Sequence, residues 1–322
     1  MPRSINSLMS YIRKNKNISI SGSIQKKKLR YMGYFHGYKG YRYCREAHDI
    51  FAFSDFNELQ AVYDFDMRIK SVFYPQIMFI ETVLKNYALE CIIDRDKTER
   101  FADVFSKSLT YYKSYPVGSS KYKDQMLKRL KFRDHVFSSI SRDYKRPIVS
   151  HYYDKDESVP IWAIFELLTL GEFGTLVSCM DVSLKSKFSK SIGVKVRMDP
   201  DGKLPEFFIF AIKDLRNSIA HNGVVFDTRF KTASINNRLA TYINSETSIT
   251  NVSFDTIVDY LILLVVILKG LNCSKTTMYN FVSEFEKACE VLRKQIPTSI
   301  FNKILFTDTR KKITQLKKYI KI

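Results

Sequence analysis

Apolar residues recur at intervals of three and four along most of the chain, which is the spacing of one face of an α-helix. In the stretch that ends near residue 220, Phe208, Ile212 and Leu215 form such a stripe. The stripe stops at Asn222-Gly223, a pair suited to the left-handed backbone that ends helices. No alternation of apolar and polar residues supports a sheet of more than two strands. We therefore predict an all-α protein built as a helical bundle.

Two further stretches carry helical signals with interruptions. Residues 57–95 predict one long helix, or two helices divided near Pro75. Residues 158–180 predict a helix capped by Ser158 and broken at Gly171 and Gly174.

Two regions depart from the amphipathic pattern. Residues 104–128 are the least regular part of the sequence and predict a long loop. Residues 260–268, YLILLVVIL, form the longest apolar run, but the run is about half the length that a membrane span requires. We predict a buried helix there and no membrane association.

Charge adds the first functional indication. The chain has 322 residues and a formal net charge of +19. Residues 1–50, 100–150 and 301–322 carry +9, +8 and +6, so the rest of the chain is slightly acidic. A local excess of this kind is typical of a surface that binds a polyanion, and we expect nucleic acid as the partner. Lysines retained for solubility would produce the same excess.

The cysteines and the N-terminal residues bear on the compartment. The five cysteines are scattered without a CxxC pair, which favours free thiols in a reducing environment. The first residues, MPRSINSLMSYIRKNKN, contain no apolar core of a signal peptide and predict an ordinary first helix, although a basic, acid-free start is also found in transit peptides. We expect a cytoplasmic protein.

A basic, aromatic segment near the N-terminus is the clearest candidate RNA surface. Residues 26–45 read KKKLRYMGYFHGYKGYRYCR. Cations neutralise phosphates, and flat rings stack on unpaired bases. The candidate RNA-binding residues in this segment are Lys26, Lys27, Lys28, Arg30, Tyr31, Tyr34, Tyr38, Arg42 and Tyr43. Tyrosines that pack the segment onto the helical body would give the same pattern.

A second basic stretch and a division of the chain complete this part of the prediction. The stretch KRLKFRDH forms one basic helical face, with candidate RNA-binding residues Lys128, Arg129, Lys131 and Arg133. We divide the chain into an RNA-contacting segment, residues 1–58, and a helical domain, residues 59–322.

An arginine that precedes a histidine by four to six residues could serve a phosphodiester, but the pattern is weak here because all five histidines satisfy it. Spacing therefore does not select a site, and the context must. Only Arg216 and His221 lie at the end of a strongly amphipathic helix, in the sequence RNSIAHN. At 100° per residue, Asn217 and His221 share a face and Arg216 points about 100° from Asn217. A bent arginine side chain or a second copy of the helix would complete the site.

These motifs resemble a known family. RNSIAHN is similar to the Arg-Asn-x-x-x-His form of the HEPN superfamily, and the wider chain resembles bacterial abortive-infection proteins of the AbiF/AbiD (Abi_2) type. The likeness rests on four stretches within about residues 25–230: LRYMGYFHGYKGYRY, YDFDMRIKSVFYPQIMFIETVLKNY, HYYDKDESVPIWAIFELLTLGEFGTL and LRNSIAHNGVVFDTRF.

The resemblance implies a HEPN-like bundle and a metal-independent endoribonuclease toxin of phage defence. It implies that Arg216, Asn217 and His221 are catalytic, that no cofactor is bound, and that two copies form a paired site. It also implies restraint by a small noncoding RNA. The matching position downstream, Arg229, joins the candidate RNA-binding residues.

The residue types suit this chemistry. Histidine titrates near neutrality and can move the protons that RNA cleavage requires, and arginine presents a permanent cation to phosphate oxygens. No metal-ligand cluster is apparent, since Asp64 and Asp66 are two apart in a helix and do not face each other.

Three alternatives remain open from the residues alone. His221 can be a helix C-cap that the helix dipole favours. The Arg216–His221 pair can grip phosphate in a non-catalytic RNA-binding module. The helices can also serve only to dimerise a structural protein.

The basic segment generates the first prediction. Replacing Lys26, Lys27, Lys28 and Arg30 together by alanine should weaken RNA binding at low salt. It should also reduce the slope of log K against log salt by about one unit for each phosphate that is no longer neutralised. Filter binding across a salt series measures both. An unchanged slope would assign the four cations to packing or solubility.

Overall fold

The computed structural model describes residues 4–321, and over that range the protein is all-α, as predicted, with isolated β-bridges and no strand. Fifteen α-helices follow one another along these described residues. They are α1 (Ile5–Lys16), α2 (Gly22–Met32), α3 (Phe56–Asp96), α4 (Phe101–Lys107), α5 (Ser120–Arg142), α6 (Pro147–Tyr153), α7 (Ile161–Leu167), α8 (Leu170–Cys179), α9 (Val182–Ser191), α10 (Leu204–Ala220), α11 (Asn237–Thr247), α12 (Ile257–Gly270), α13 (Lys275–Gln295), α14 (Thr298–Leu305) and α15 (Thr309–Lys321).

Helix α3 is the longest element, with 41 residues, and packs against α9, α10, α12 and α13. It begins with a capping box in which Asp55 and Glu58 each bond the other residue's backbone N–H. Pro75 lies inside the helix on its exposed side, and the helix continues through it. The sequence pattern was compatible with one long helix or with two, and the structure shows a single helix. The proposed division after residue 58 falls in its first turn.

The N-terminal residues form α1, α2 and a π-helix, Gly33–Lys39. The π-helix requires glycine at position 37, because a Cβ there would lie 2.5 Å from the Met32 carbonyl oxygen. Tyr38 and Tyr41 point into the protein and are buried. These two tyrosines therefore hold the N-terminal segment against the rest of the helical protein.

Helix α12 confirms the expectation for the apolar run. Every residue of Ile257–Leu268 is buried, and α11, α13, α15 and α3 pack around the helix. Across residues 4–321, the structure contains no helix with both the length and the apolar character to cross a bilayer.

Three local predictions were wrong. Most of residues 104–128 is ordered as the end of α4, a 3-10 turn at Tyr111–Ser114 and the first turns of α5, whose N-cap is Ser119. Pro160, not Ser158, precedes α7. The break after α7 comes at Leu168 and Thr169, because Thr169 forms a capping box that starts α8.

Gly171 and Gly174 therefore lie within α8 and do not break it. A Cβ on Gly174 would meet the Phe210 ring at 3.0 Å, so the absent side chain allows α8 and α10 to pack closely.

All five cysteines are free thiols, as expected. Burial raises the pKa of the Cys44 and Cys179 thiols to about 11, which makes them unreactive near neutral pH.

The C-terminal helices are joined to the core by a buried ion pair. Lys312 of α15 lies 2.9 Å from the Asp259 carboxylate of α12 and donates to the Asn251 carbonyl oxygen at 2.8 Å. Lys312 and Asp259 are both almost completely buried.

Lys312→Ala should therefore lower the free energy of unfolding by about 3–5 kcal/mol, because it leaves the Asp259 carboxylate buried without its cation. Lys311→Ala, at the exposed neighbouring position, is the matched control and should change stability by less than about 0.5 kcal/mol. Chemical denaturation of the three proteins measures this. Equal stability of the two variants would contradict the role of the pair.

Candidate active site at the end of helix α10

Helix α10 presents one apolar and one polar face. Phe208, Ile212 and Leu215 are buried, whereas Arg216 and Asn217 are partly exposed. The helix ends at Ala220, one residue before His221.

The turn after α10 is fixed by its backbone. His221 is the C-cap, and its N–H bonds the Asn217 carbonyl oxygen. Asn222 is left-handed, with φ of 53°, and the Gly223 N–H bonds the Ser218 carbonyl oxygen at 2.7 Å. The pair Asn222-Gly223 ends the helix as the sequence predicted.

Arg216 is anchored by a buried acid on α3. Its Nε donates to Glu81 Oε2 at 3.2 Å, and the Glu81 side chain is only 7% exposed. The other Glu81 oxygen lies 3.3 Å from Lys85 Nζ, one helical turn further along α3. Lys85 also donates to the Leu168 carbonyl oxygen at 2.7 Å. One carboxylate thus positions two cations.

The three predicted catalytic residues lie within six consecutive positions, and only Arg216 and Asn217 are bonded through their side chains. Arg216 bends toward Asn217 and donates to its Oδ1 at 3.3 Å. The side chain of His221 is exposed and forms no hydrogen bond within the described part of the chain. The Asn217 amide oxygen therefore orients the arginine and leaves the imidazole open to solvent.

A second buried acid holds the turn that follows His221. Asp66 of α3 is fully buried and accepts from the backbone N–H groups of Val225 and Phe226 at 2.9 and 2.7 Å. It also accepts from Tyr41 Oη at 2.6 Å and pairs with Lys70 at 2.7 Å.

These contacts have an electrostatic consequence. Burial raises the pKa of the Asp66 carboxyl, and the neighbouring Lys70 counteracts the shift. Lys70 then donates to Asn222 Oδ1 at 3.0 Å, so the residue after His221 is itself fixed.

Most of the predicted RNA-binding residues are at least partly accessible to solvent. Lys27, Arg30, Tyr31 and Tyr34 are exposed on α2 and the π-helix, and Lys26, Lys28, Arg42 and Tyr43 are partly buried. On α5, Lys131 and Arg133 are exposed and Lys128 is partly buried.

Three of these candidates have internal roles. Tyr38 is 1% exposed, which corrects the prediction that its ring is available to a base. The Arg129 guanidinium lies 3.6 Å from the centre of the Phe105 ring and donates to the Phe105 carbonyl oxygen, so it packs α5 onto α4.

Arg229 is the third. It pairs with the fully buried Asp227 and donates to the carbonyl oxygens of Gly40 and Tyr43 at 2.9 and 2.8 Å. Its charge is therefore neutralised internally, and it ties the N-terminal segment to the chain that follows α10.

Sequence reasoning missed the acids and lysines of α3. Asp66 and Lys70, and likewise Glu81 and Lys85, are four residues apart, which is the spacing of helical ion pairs. Both pairs are buried on the inner face of α3. Charged residues at helical ion-pair spacing on the apolar face of a helix were the sequence signal that could have revealed them. Within residues 4–321, no group of three or more His, Cys, Asp or Glu side chains is placed to hold a metal ion.

Together, these observations define an all-α protein with an arginine near the end of a packed helix and a histidine at the C-cap of that helix. A model of the family described as Abi-like protein matches residues 27–227, well over half of the chain, and the protein belongs to that family. The match spans α3, α10 and both buried acids. No curated protein sequence and no solved structure shows significant similarity to the chain.

The Glu81 contacts generate a prediction. Glu81→Gln should reduce stability by on the order of 3 kcal/mol, because two partly buried cations lose their carboxylate. Thermal unfolding of the variant measures the loss. Glu90→Gln, an exposed acid on the same helix, is the matched control and should leave the unfolding curve almost unchanged.

Proposed function

We propose that this Abi-like protein is a metal-independent endoribonuclease of the HEPN type that acts in abortive infection in the cytoplasm. One observation carries the proposal. A buried carboxylate holds Arg216 at the end of α10, five residues before His221, whose exposed side chain forms no hydrogen bond within residues 4–321. This arrangement leaves part of a fixed guanidinium and an imidazole ring facing solvent, where an RNA backbone has access.

The proposed reaction uses the RNA itself as nucleophile. His221 removes the proton of a 2′-hydroxyl, and the 2′-oxygen attacks the adjacent phosphorus. The bond from phosphorus to the 5′-oxygen breaks, and the leaving oxygen takes up a proton. Arg216 stabilises the negative charge that develops on the phosphoryl oxygens. Asn217 positions the guanidinium. The products are a 2′,3′-cyclic phosphate and a 5′-hydroxyl end.

Two proton transfers favour a pair of histidines, one as base and one as acid. A single chain supplies one histidine at this helix end. We therefore propose that the active form is a homodimer in which two copies of α10 face each other. The net charge of +19 supports binding of a small regulatory RNA that restrains the nuclease until infection.

A non-catalytic RNA-binding module is the second candidate. The observation that favours it is the Arg216–Glu81 ion pair, because a guanidinium already paired with a carboxylate presents less charge to a transition state. In that case Arg216 and His221 grip phosphate without cleaving RNA. The chemistry of the product ends separates the two candidates.

Replacing either catalytic residue tests the proposal. Arg216→Ala and His221→Ala should each reduce RNA cleavage by at least about 10²–10⁴-fold, because each removes charge stabilisation or proton transfer. The double variant should be little worse than either single one, since the two groups act as a unit. Cleavage of a labelled RNA in the presence of EDTA is the measurement, with mass spectrometry of the ends.

His135→Ala is the matched control. This variant removes an exposed histidine that follows Arg129 by six residues, and it should cleave RNA like the unaltered protein. Circular dichroism should show equal helix content in all four variants. Full activity in His221→Ala, or 5′-phosphate ends that require a metal, would overturn the assignment.

A further inference from the structure

A cavity of about 330 Å³ lies between the π-helix and the turn after α10. Its size is within the usual range of small-molecule pockets. The wall from the N-terminal segment includes Phe35, His36, Lys39 and Arg42, and the opposite wall includes Asn222. The π-helix that shapes it is a rare backbone form that is frequent at functional sites.

The cavity is electrostatically suited to an anion. None of the residues that line it is an aspartate or glutamate. Lys39 and Arg42 form no ion pair with any carboxylate in residues 4–321, whereas Arg229 at the same cavity is neutralised by Asp227. Two cations therefore face the cavity without a countercharge. A phosphate group would supply it.

The cavity also offers an aromatic surface. Phe35 is 70% exposed, although a large apolar side chain is more stable when covered. Its ring lies in a T-shaped arrangement with the His36 ring, 5.4 Å apart between centroids, and most of the phenylalanine side chain stays accessible to solvent. Nucleic-acid bases stack on aromatic faces of this kind in sites for single strands.

The position of the cavity relates it to the catalytic residues. Asn222, in its wall, directly follows His221 and is held by the buried Lys70. The cavity is therefore lined by the same turn of the chain that carries His221.

We propose that this cavity binds one unpaired nucleotide of the RNA substrate, next to the phosphodiester that is cleaved. Phe35 stacks on the base, and Lys39 and Arg42 hold its phosphate. The cavity thereby sets which base is accepted beside the cut. That this nucleotide belongs to a substrate rests on the proposed nuclease function. Binding of the nucleotide, in contrast, is measurable without cleavage.

The binding experiment uses the full-length His221→Ala protein and fluorescein-labelled 2′-O-methyl heptanucleotides of each base, read by fluorescence anisotropy. Phe35→Leu and Lys39→Gln should each weaken binding of the preferred heptanucleotide by about tenfold. Lys39→Gln should also reduce the salt dependence of binding, whereas Phe35→Leu should not. The matched controls are Phe137→Leu and Lys294→Gln, which replace an exposed phenylalanine and an exposed lysine elsewhere.

The cleavage experiment uses the protein with His221 intact and a library of short RNAs. Phe35→Leu should raise KM and broaden the base preference on one side of the cut, with the product ends unchanged. Weaker heptanucleotide binding by the variants without cleavage by any protein would refute the nuclease and keep the nucleotide site. Unchanged binding and unchanged base preference would overturn the site while leaving the nuclease intact.

Two other outcomes would also overturn the assignment. If Phe35→Leu reduces the amount of cellular RNA that purifies with the protein and changes neither heptanucleotide binding nor cleavage, the cavity serves the regulatory RNA and not the substrate. If Phe35→Leu changes only the oligomeric state in light scattering, the exposed ring belongs to a protein interface.

Discussion

The buried carboxylate of Asp66 is the interaction on which the rest of the site depends. It lies on α3 and is bonded by Tyr41 from the N-terminal segment, by Lys70 from its own helix, and by the backbone after α10. A buried carboxylate is stable only when its lone pairs are satisfied, so these three parts of the chain must meet at one place. The basic aromatic segment and the end of α10 are thereby fixed relative to each other.

Helix α3 contains two buried acid–lysine pairs that each fix another part of the chain. Asp66 and Lys70 fix the turn after His221, and Glu81, paired with Lys85, fixes Arg216. Asp66 and Glu81 are about 22 Å apart along α3, at 1.5 Å per residue. Each acid has a lysine one turn away and a second partner on another element. Helix α3 therefore works as a rigid support that positions Arg216 on α10 and the turn that follows His221. The strict register of a single uninterrupted helix makes both contacts compatible.

Much of the architecture follows from local signals in the sequence. The periodicity of Phe208, Ile212 and Leu215 predicts α10, and Asn222-Gly223 predicts its end, because backbone preferences and one apolar face decide both. The sequence did not predict which tyrosines of the N-terminal segment are buried. Tyr38 and Tyr31 have the same local chemistry, and only packing against the body of the protein separates them. The role of Glu81 was likewise hidden, because its partner Arg216 is 135 residues away in the chain.

That long separation has a consequence for synthesis of the protein. Arg216, His221 and the backbone donors to Asp66 at Val225 and Phe226 are made long after α3 has left the ribosome. Because chains fold from the N-terminus during translation, a nascent chain that ends before Arg216 has the support helix without the groups it positions. A nuclease of the proposed kind is thus kept from assembling its site while the ribosome is still translating the first two thirds of the message.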